Sequence, residues 1–180
     1  MKTVQKSKKP STAKSVALSG ILAALCFVIM YIAAVTEILD LSGMIVCMVL
    51  SAVAVIEIGS YYPWLIWVVC GVLCFFFIPK KDIALEYIMF GGVYPVLKSA
   101  FEKLSAIPSW ILKLVFFNAV FTGWFFLCRF IFAPNIDLTL GVVAYLAANA
   151  FFILSDVALT MMISFYIRNL RKRLKFGSKK

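Results

Sequence analysis

Residues 15–35, SVALSGILAALCFVIMYIAAV, contain no charged side chain and follow a lysine-rich leader. A helix rises about 1.5 Å per residue, so this run covers about 30 Å, the thickness of a bilayer's hydrocarbon core. Backbone groups in hydrocarbon have no water to bond, so a spanning segment of this kind must satisfy them internally as a helix. Further runs of the same character follow, which makes the first an uncleaved span rather than a signal peptide, despite Ala33-Ala34 near a cleavage position.

Charges and turn formers divide the chain into about six apolar segments: 15–35, 42–59, 61–78, 83–97, 108–133 and 138–167. The predicted fold is an all-α integral membrane protein, a bundle of about six transmembrane helices. Its expected parts are a basic leader (1–14), the membrane domain (15–167) and a basic tail (168–180). Composition agrees: 64% of residues are hydrophobic and mean hydropathy is +1.02, against roughly 45–50% apolar in soluble domains.

The net charge of +10 is concentrated at the ends, where twelve of the 18 Lys and Arg lie. Lys2, Lys6, Lys8, Lys9 and Lys14 precede the first run; Arg168, Arg171, Lys172, Arg173, Lys175, Lys179 and Lys180 follow the last. Basic flanks beside apolar runs place both termini in the cytoplasm and give them anionic lipids as partners. A nucleic-acid surface requires a basic face on a folded domain, and this pattern excludes it. Lys80-Lys81 is the one exception, falling on the outer side of a six-span arrangement. The implied location is a bacterial cell membrane, multi-pass.

No histidine occurs, and there is no GxSxG, Walker loop or HExxH pattern, so the sequence proposes no enzyme, cofactor or metal site. Cys26, Cys47, Cys70, Cys74 and Cys128 all fall in apolar runs and read as small buried hydrophobes.

Ionisable groups at membrane depth are the sharpest remaining signal, since each costs about 2.5–3.5 kcal/mol at the centre of a span. Glu86 and Arg129 fall near the outer ends of spans four and five, where a solute from outside arrives. Tyr87, Trp124, Tyr145 and Asn149 lie at similar or slightly deeper levels. Together these six form the candidate solute pocket, aromatic-walled with a few polar groups; interfacial belts account equally for the aromatics. Trp64, Trp67 and Trp110 read as belt residues. Glu57 and Lys113, near the inner ends, read as snorkelling or interfacial pairs. Asp156, deeper in span six, reads as a hydrogen-bonded contact to Asn118 or Ser155, with a proton relay as the alternative.

Two backbone features complete the reading. In span one, Ser19, Gly20, Ala23 and Ala24 make small-xxx-small pairs that admit another helix, from the same bundle or from a partner. In span four, Gly91-Gly92 and Pro95 mark a joint, with a kink expected at the proline. Beyond it Val96, Leu97, Ala100, Phe101 and Leu104 form an apolar stripe opposite Lys98, Glu102 and Lys103, as in an interfacial helix.

The length, about six spans, basic leader and early small-residue motif (Ser19, Gly20, Ala23, Ala24) resemble the substrate-binding S components of energy-coupling-factor vitamin transporters. The resemblance is architectural and covers nearly the whole chain. It implies a membrane subunit that captures a vitamin-like solute and is energised by separate ATPases through a transmembrane coupling subunit. It places Gly20 and Ala24 at that interface, and Glu86, Tyr87, Trp124, Arg129 and Asn149 near the solute. The motif departs from the family's Ala-xxx-Ala form. A cell-shape membrane protein that partners the rod-type actin system has similar size and span count, which keeps a non-transporting scaffold as the alternative.

Overall fold

The computed structural model describes residues 11–36, 39–59, 61–131 and 138–170, without the side chains of 128–131, 138–141 and 170. Most of the basic leader and tail therefore lies outside the described residues. Every regular element among them is helical: α1 (Thr12–Thr36), α2 (Asp40–Glu57), α3 (Tyr62–Phe77), α4 (Lys81–Glu86), α5 (Tyr94–Phe101), α6 (Ala106–Ile131) and α7 (Leu138–Phe165). Four stretches are long and apolar enough to cross a membrane: Thr12–Thr36, Asp40–Glu57, Ala106–Leu127 and Val142–Asn169. The described molecule is thus all-helical, with four helices of membrane-spanning length and apolarity, and α3 and a broken fourth segment supply shorter apolar helices.

Helix α1 packs on α2 and α3, and α2 reaches across to α5 and α7. Helix α6 touches α4, α5 and α7, so the fourth segment stands between the α1–α3 layer and the α6–α7 pair. Small side chains let the first layer close tightly. A Cβ on Gly43 would sit 2.7 Å from that of Ala33, and Cys26, Cys47, Cys70 and Cys74 are fully buried in the same core. Outward-facing Val16, Ile21, Ile32, Val35, Phe76, Leu146 and Leu154 give the bundle an apolar exterior suited to hydrocarbon.

Tyr61-Tyr62 stack at the start of α3, and Glu57 at the end of α2 accepts a hydrogen bond from Tyr166 at the end of α7 (3.3 Å). Lys14, Lys103 and Arg168 share this end of the bundle with those residues, and it is termed the basic end. Asp40, Asp82 and Glu86 mark the opposite, acidic end.

The fourth segment departs from the sequence reading in two ways. Its break is not at Pro95, which sits in the first turn of α5, where a missing N–H removes no helical bond. Instead Tyr87–Gly91 form a π turn: the Gly92 N–H donates to the Tyr87 carbonyl (2.8 Å), one residue further back than in an α-helix. The Ile88 carbonyl, its regular α-helical acceptor, takes the indole N–H of Trp67 from α3 instead (2.9 Å). Trp67 is therefore an interhelical packing residue rather than a belt residue. It lies so close to Gly92 that a Cβ there would overlap its Cδ1, and a Cβ on Gly91 would stand 2.9 Å from Met44 Cγ. The glycine pair is a place of close approach.

The second departure is Lys98. The stripe beyond Pro95 does not turn it to the surface, for it is only 1% exposed.

Gly92→Ala should cost about 1–3 kcal/mol by overpacking against Trp67. Gly20, with open space where a Cβ would stand, should tolerate alanine with unchanged or slightly raised stability. Unfolding titrations of both variants in mixed micelles, compared with the parent, check the contrast.

Candidate functional site

Asp156 stands 1% exposed on α7 and gathers three helices around it. Lys98 of α5 forms an ion pair with its Oδ1, and Tyr94, one turn earlier on α5, donates to the same oxygen (2.5 Å). Lys113 of α6 donates to Oδ2 (3.0 Å). Glu102, half-exposed at the end of α5, accepts from both ammoniums, at 3.1 Å from Lys98 and 3.2 Å from Lys113. Lys98 also donates to Thr160 Oγ1 (2.8 Å), and Thr160 in turn donates to the Asp156 carbonyl (2.8 Å). Two ammoniums meet two carboxylates, so the cluster is neutral while every buried charge has a counter-charge, as low-dielectric burial demands.

The sequence reading gave Asp156 an amide or hydroxyl partner; the structure gives it two lysines and a tyrosine. Lys113, read as snorkelling or as an interfacial pair, forms ion pairs with Glu102 and Asp156, but it is turned inward and is 4% exposed, with its ammonium 5.2 Å from the Trp110 ring centroid. The missed signal was spacing. Tyr94 and Lys98 share one helical face, as do Asp156 and Thr160, and a carboxylate deep in an apolar run calls for a cation.

Asn118 is occupied elsewhere. It exchanges side-chain hydrogen bonds with Asn149 (2.9 and 3.0 Å), tying α6 to α7. One turn further along, the hydroxyls of Thr122 and Tyr145 bond to each other. Tyr145 and Asn149, both predicted near the solute, are thus engaged in a ladder between two helices.

Above the ionic cluster lies a tier of rings. Phe90 stacks on Tyr94 (5.1 Å between centroids), and Phe117 stacks on Phe152 (4.4 Å). Two cavities lie in this half of the molecule, and Phe90, Phe117 and Phe152 line the first of them. The first, about 410 Å³, runs from the acidic end between α2, α4 and its π turn, α6 and α7. Its walls include Met44, Met89, Phe90, Phe117, Phe121 and Phe152, with Glu86 and Trp124 toward the acidic end and Ser155 at depth. The second, about 530 Å³, opens at the basic end and is lined by Glu102, Ser109, Trp110, Lys113, Asp156 and Thr160 among others. Ser155 and Asp156, neighbours on α7, border one cavity each.

Of the six predicted solute residues, Glu86 and Trp124 line the first cavity. The indole N–H of Trp124 is buried without an acceptor among the described residues. Tyr87 is fully buried and faces the α1–α3 core, with its hydroxyl toward Cys70. Arg129 falls in α6, and its side chain lies outside the described residues. Glu86 makes no hydrogen bond or ion pair among the described residues, in contrast to Lys98, Lys113 and Asp156.

The small-residue motif of α1 divides by face. Ser19 and Ala23 are buried, with the Ser19 hydroxyl donating to the Ser15 carbonyl (2.8 Å), while Gly20 and Ala24 face outward. No family model, no curated protein and no solved structure matches the chain, so the geometry alone carries the functional reading.

Asp156→Asn should destabilise the protein by about 3–5 kcal/mol, because it leaves buried lysine charge without compensation. Replacing Lys98 and Asp156 together, by Met and Leu, leaves Lys113 paired with Glu102 and should recover much of that loss. Unfolding titrations of the single and double variants, compared as a mutant cycle, check this.

Proposed function

We propose that the protein is a solute-capturing membrane subunit, similar in role to the S components of energy-coupling-factor transporters. The observation that carries this reading is the aromatic-walled cavity of about 410 Å³ between α2, the fourth segment, α6 and α7. Its size falls within the range of about 300–1,000 Å³ used for small-molecule ligands, and its few polar groups are the kind that orient one. In this reading the chain crosses a bacterial cell membrane six times. Both basic ends lie in the cytoplasm, as the positive-inside rule favours, and contact anionic lipid. The cavity then faces outward, toward arriving solute.

The chain has no nucleotide-binding motif, so ATP-driven uptake assigns the ATPases and a transmembrane coupling subunit to other chains. The exposed Gly20–Ala24 face of α1 is the docking surface in this proposal, since a helix backbone can approach it closely. The same face supports the scaffold alternative, in which α1 gathers envelope proteins and the cavity is incidental.

Purified protein should gain thermal stability with members of a vitamin-like small-molecule set. Ala148→Phe, which fills the cavity from α7, should abolish the shift. Native pull-down from membranes should recover ATPases, and Gly20→Leu or Ala24→Leu should release them. Recovery of cell-wall proteins instead, with a silent Ala148→Phe, selects the scaffold.

A further inference from the structure

We infer that the cavity at the acidic end takes an organic ammonium: a largely apolar, ring-bearing molecule whose single cationic end is held by Glu86. The inference rests on the solute-binding reading above and names the ligand class for that same cavity.

Among the described residues lining this cavity, Glu86 is the one with a formally charged side chain. The buried charges among the described residues, Lys98, Lys113 and Asp156, are neutralised within the protein, Asp156 by two lysines and each lysine by carboxylates. Glu86 has no such partner among the described residues. A carboxylate held in an apolar wall has lost most of its hydration, and a cation arriving in the cavity restores the lost interaction.

The surroundings reinforce the sign. Asp40 and Asp82 stand near enough to Glu86 to interact with it electrostatically, and both are acidic. One Asp40 carboxylate oxygen is itself buried without a partner among the described residues. The nearby cation Lys81 is directed elsewhere, donating to the Phe75 carbonyl (2.6 Å) and the Ile78 carbonyl (3.0 Å) at the end of α3. Its ammonium also lies 5.5 Å from the Phe75 ring centroid. Lys81 therefore caps α3 and makes no ion pair with Glu86. The walls fit the rest of such a molecule: Phe90, Phe117, Phe121, Phe152 and Trp124 offer ring edges and faces for stacking, and ring faces attract cations. The described polar groups of the lining offer no second charge to hold an anionic substituent.

Arg129 approaches the same end on α6, so the test includes it. Equilibrium dialysis of the full chain in neutral detergent would compare three shape-matched probes: tryptamine (cation), 3-ethylindole (neutral) and indole-3-propionate (anion). Tryptamine should bind at least tenfold more tightly than either analogue. Glu86→Gln should remove that advantage while leaving 3-ethylindole binding unchanged, and Arg129→Ala should not weaken tryptamine. Equal binding of cation and neutral probe, indifferent to Glu86→Gln, overturns the inference; loss of both with Ala148→Phe would still uphold the cavity as a solute site. Tightest binding of indole-3-propionate, abolished by Arg129→Ala, overturns the sign. Binding of none of the three also overturns the ammonium assignment, and the thermal-shift screen then decides the solute-capture reading separately.

Discussion

Helices α6 and α7 have long outward-facing apolar surfaces that hydrocarbon solvates as readily as another helix does, so apolar contact alone gives them little reason to associate with each other or with α5. The Asp156 carboxylate supplies that reason. With Lys98, Lys113 and Tyr94 around it, any rotation or shift of one helix strands a charge in a medium that cannot solvate it. In the ring tier, Tyr94, Phe117 and Phe152 stand on these helices and inherit their register, and Phe90 of the π turn stacks on Tyr94. Phe90, Phe117 and Phe152 of that tier line the first cavity, while Lys113 and Asp156 of the cluster line the second. The architecture of both therefore depends on one neutralised cluster.

A second constraint fixes the fourth segment against α3. The π turn at Tyr87–Gly91 rotates the chain so that Trp67 can lie on Gly92 and bond the Ile88 carbonyl. The turn costs regular helical geometry and is compensated by an indole hydrogen bond from a neighbouring helix. Glu86 lies immediately before the turn, and Phe90 within it, so the shape of the first cavity follows from this local irregularity.

Much of the bundle was legible in the sequence, because hydrophobic run length reports directly on a helix that must span hydrocarbon. Residues 15–35 became the core of α1, and 42–59 became most of α2. The fourth segment was legible as interrupted, and the π turn does end at Gly91 beside Gly92, but the kink expected at Pro95 does not occur. Proline chemistry predicts a kink only where its missing N–H and ring disturb an established turn; at the start of α5 they disturb nothing. Lys98 was misread for a related reason. Helical periodicity separates polar from apolar faces, but it cannot distinguish a polar face turned to water from one turned to a buried carboxylate. Glu86 and Trp124 line the same cavity, and an acid and an indole at one depth on two spans are visible in one dimension. Tyr145 and Asn149 share that depth, yet they spend their polar groups on Thr122 and Asn118.

The sequence by itself determined the apolar, helical character of the chain and where each long apolar run begins and ends. Those features depend on composition and run length, and both are local. Only the tertiary structure decided which charges neutralise one another and which is left facing a cavity. That outcome depends on how each helix is rotated about its axis. Rotation is set by contacts between segments far apart in the chain: Asp156 with Lys98, Trp67 with Ile88, Gly43 with Ala33.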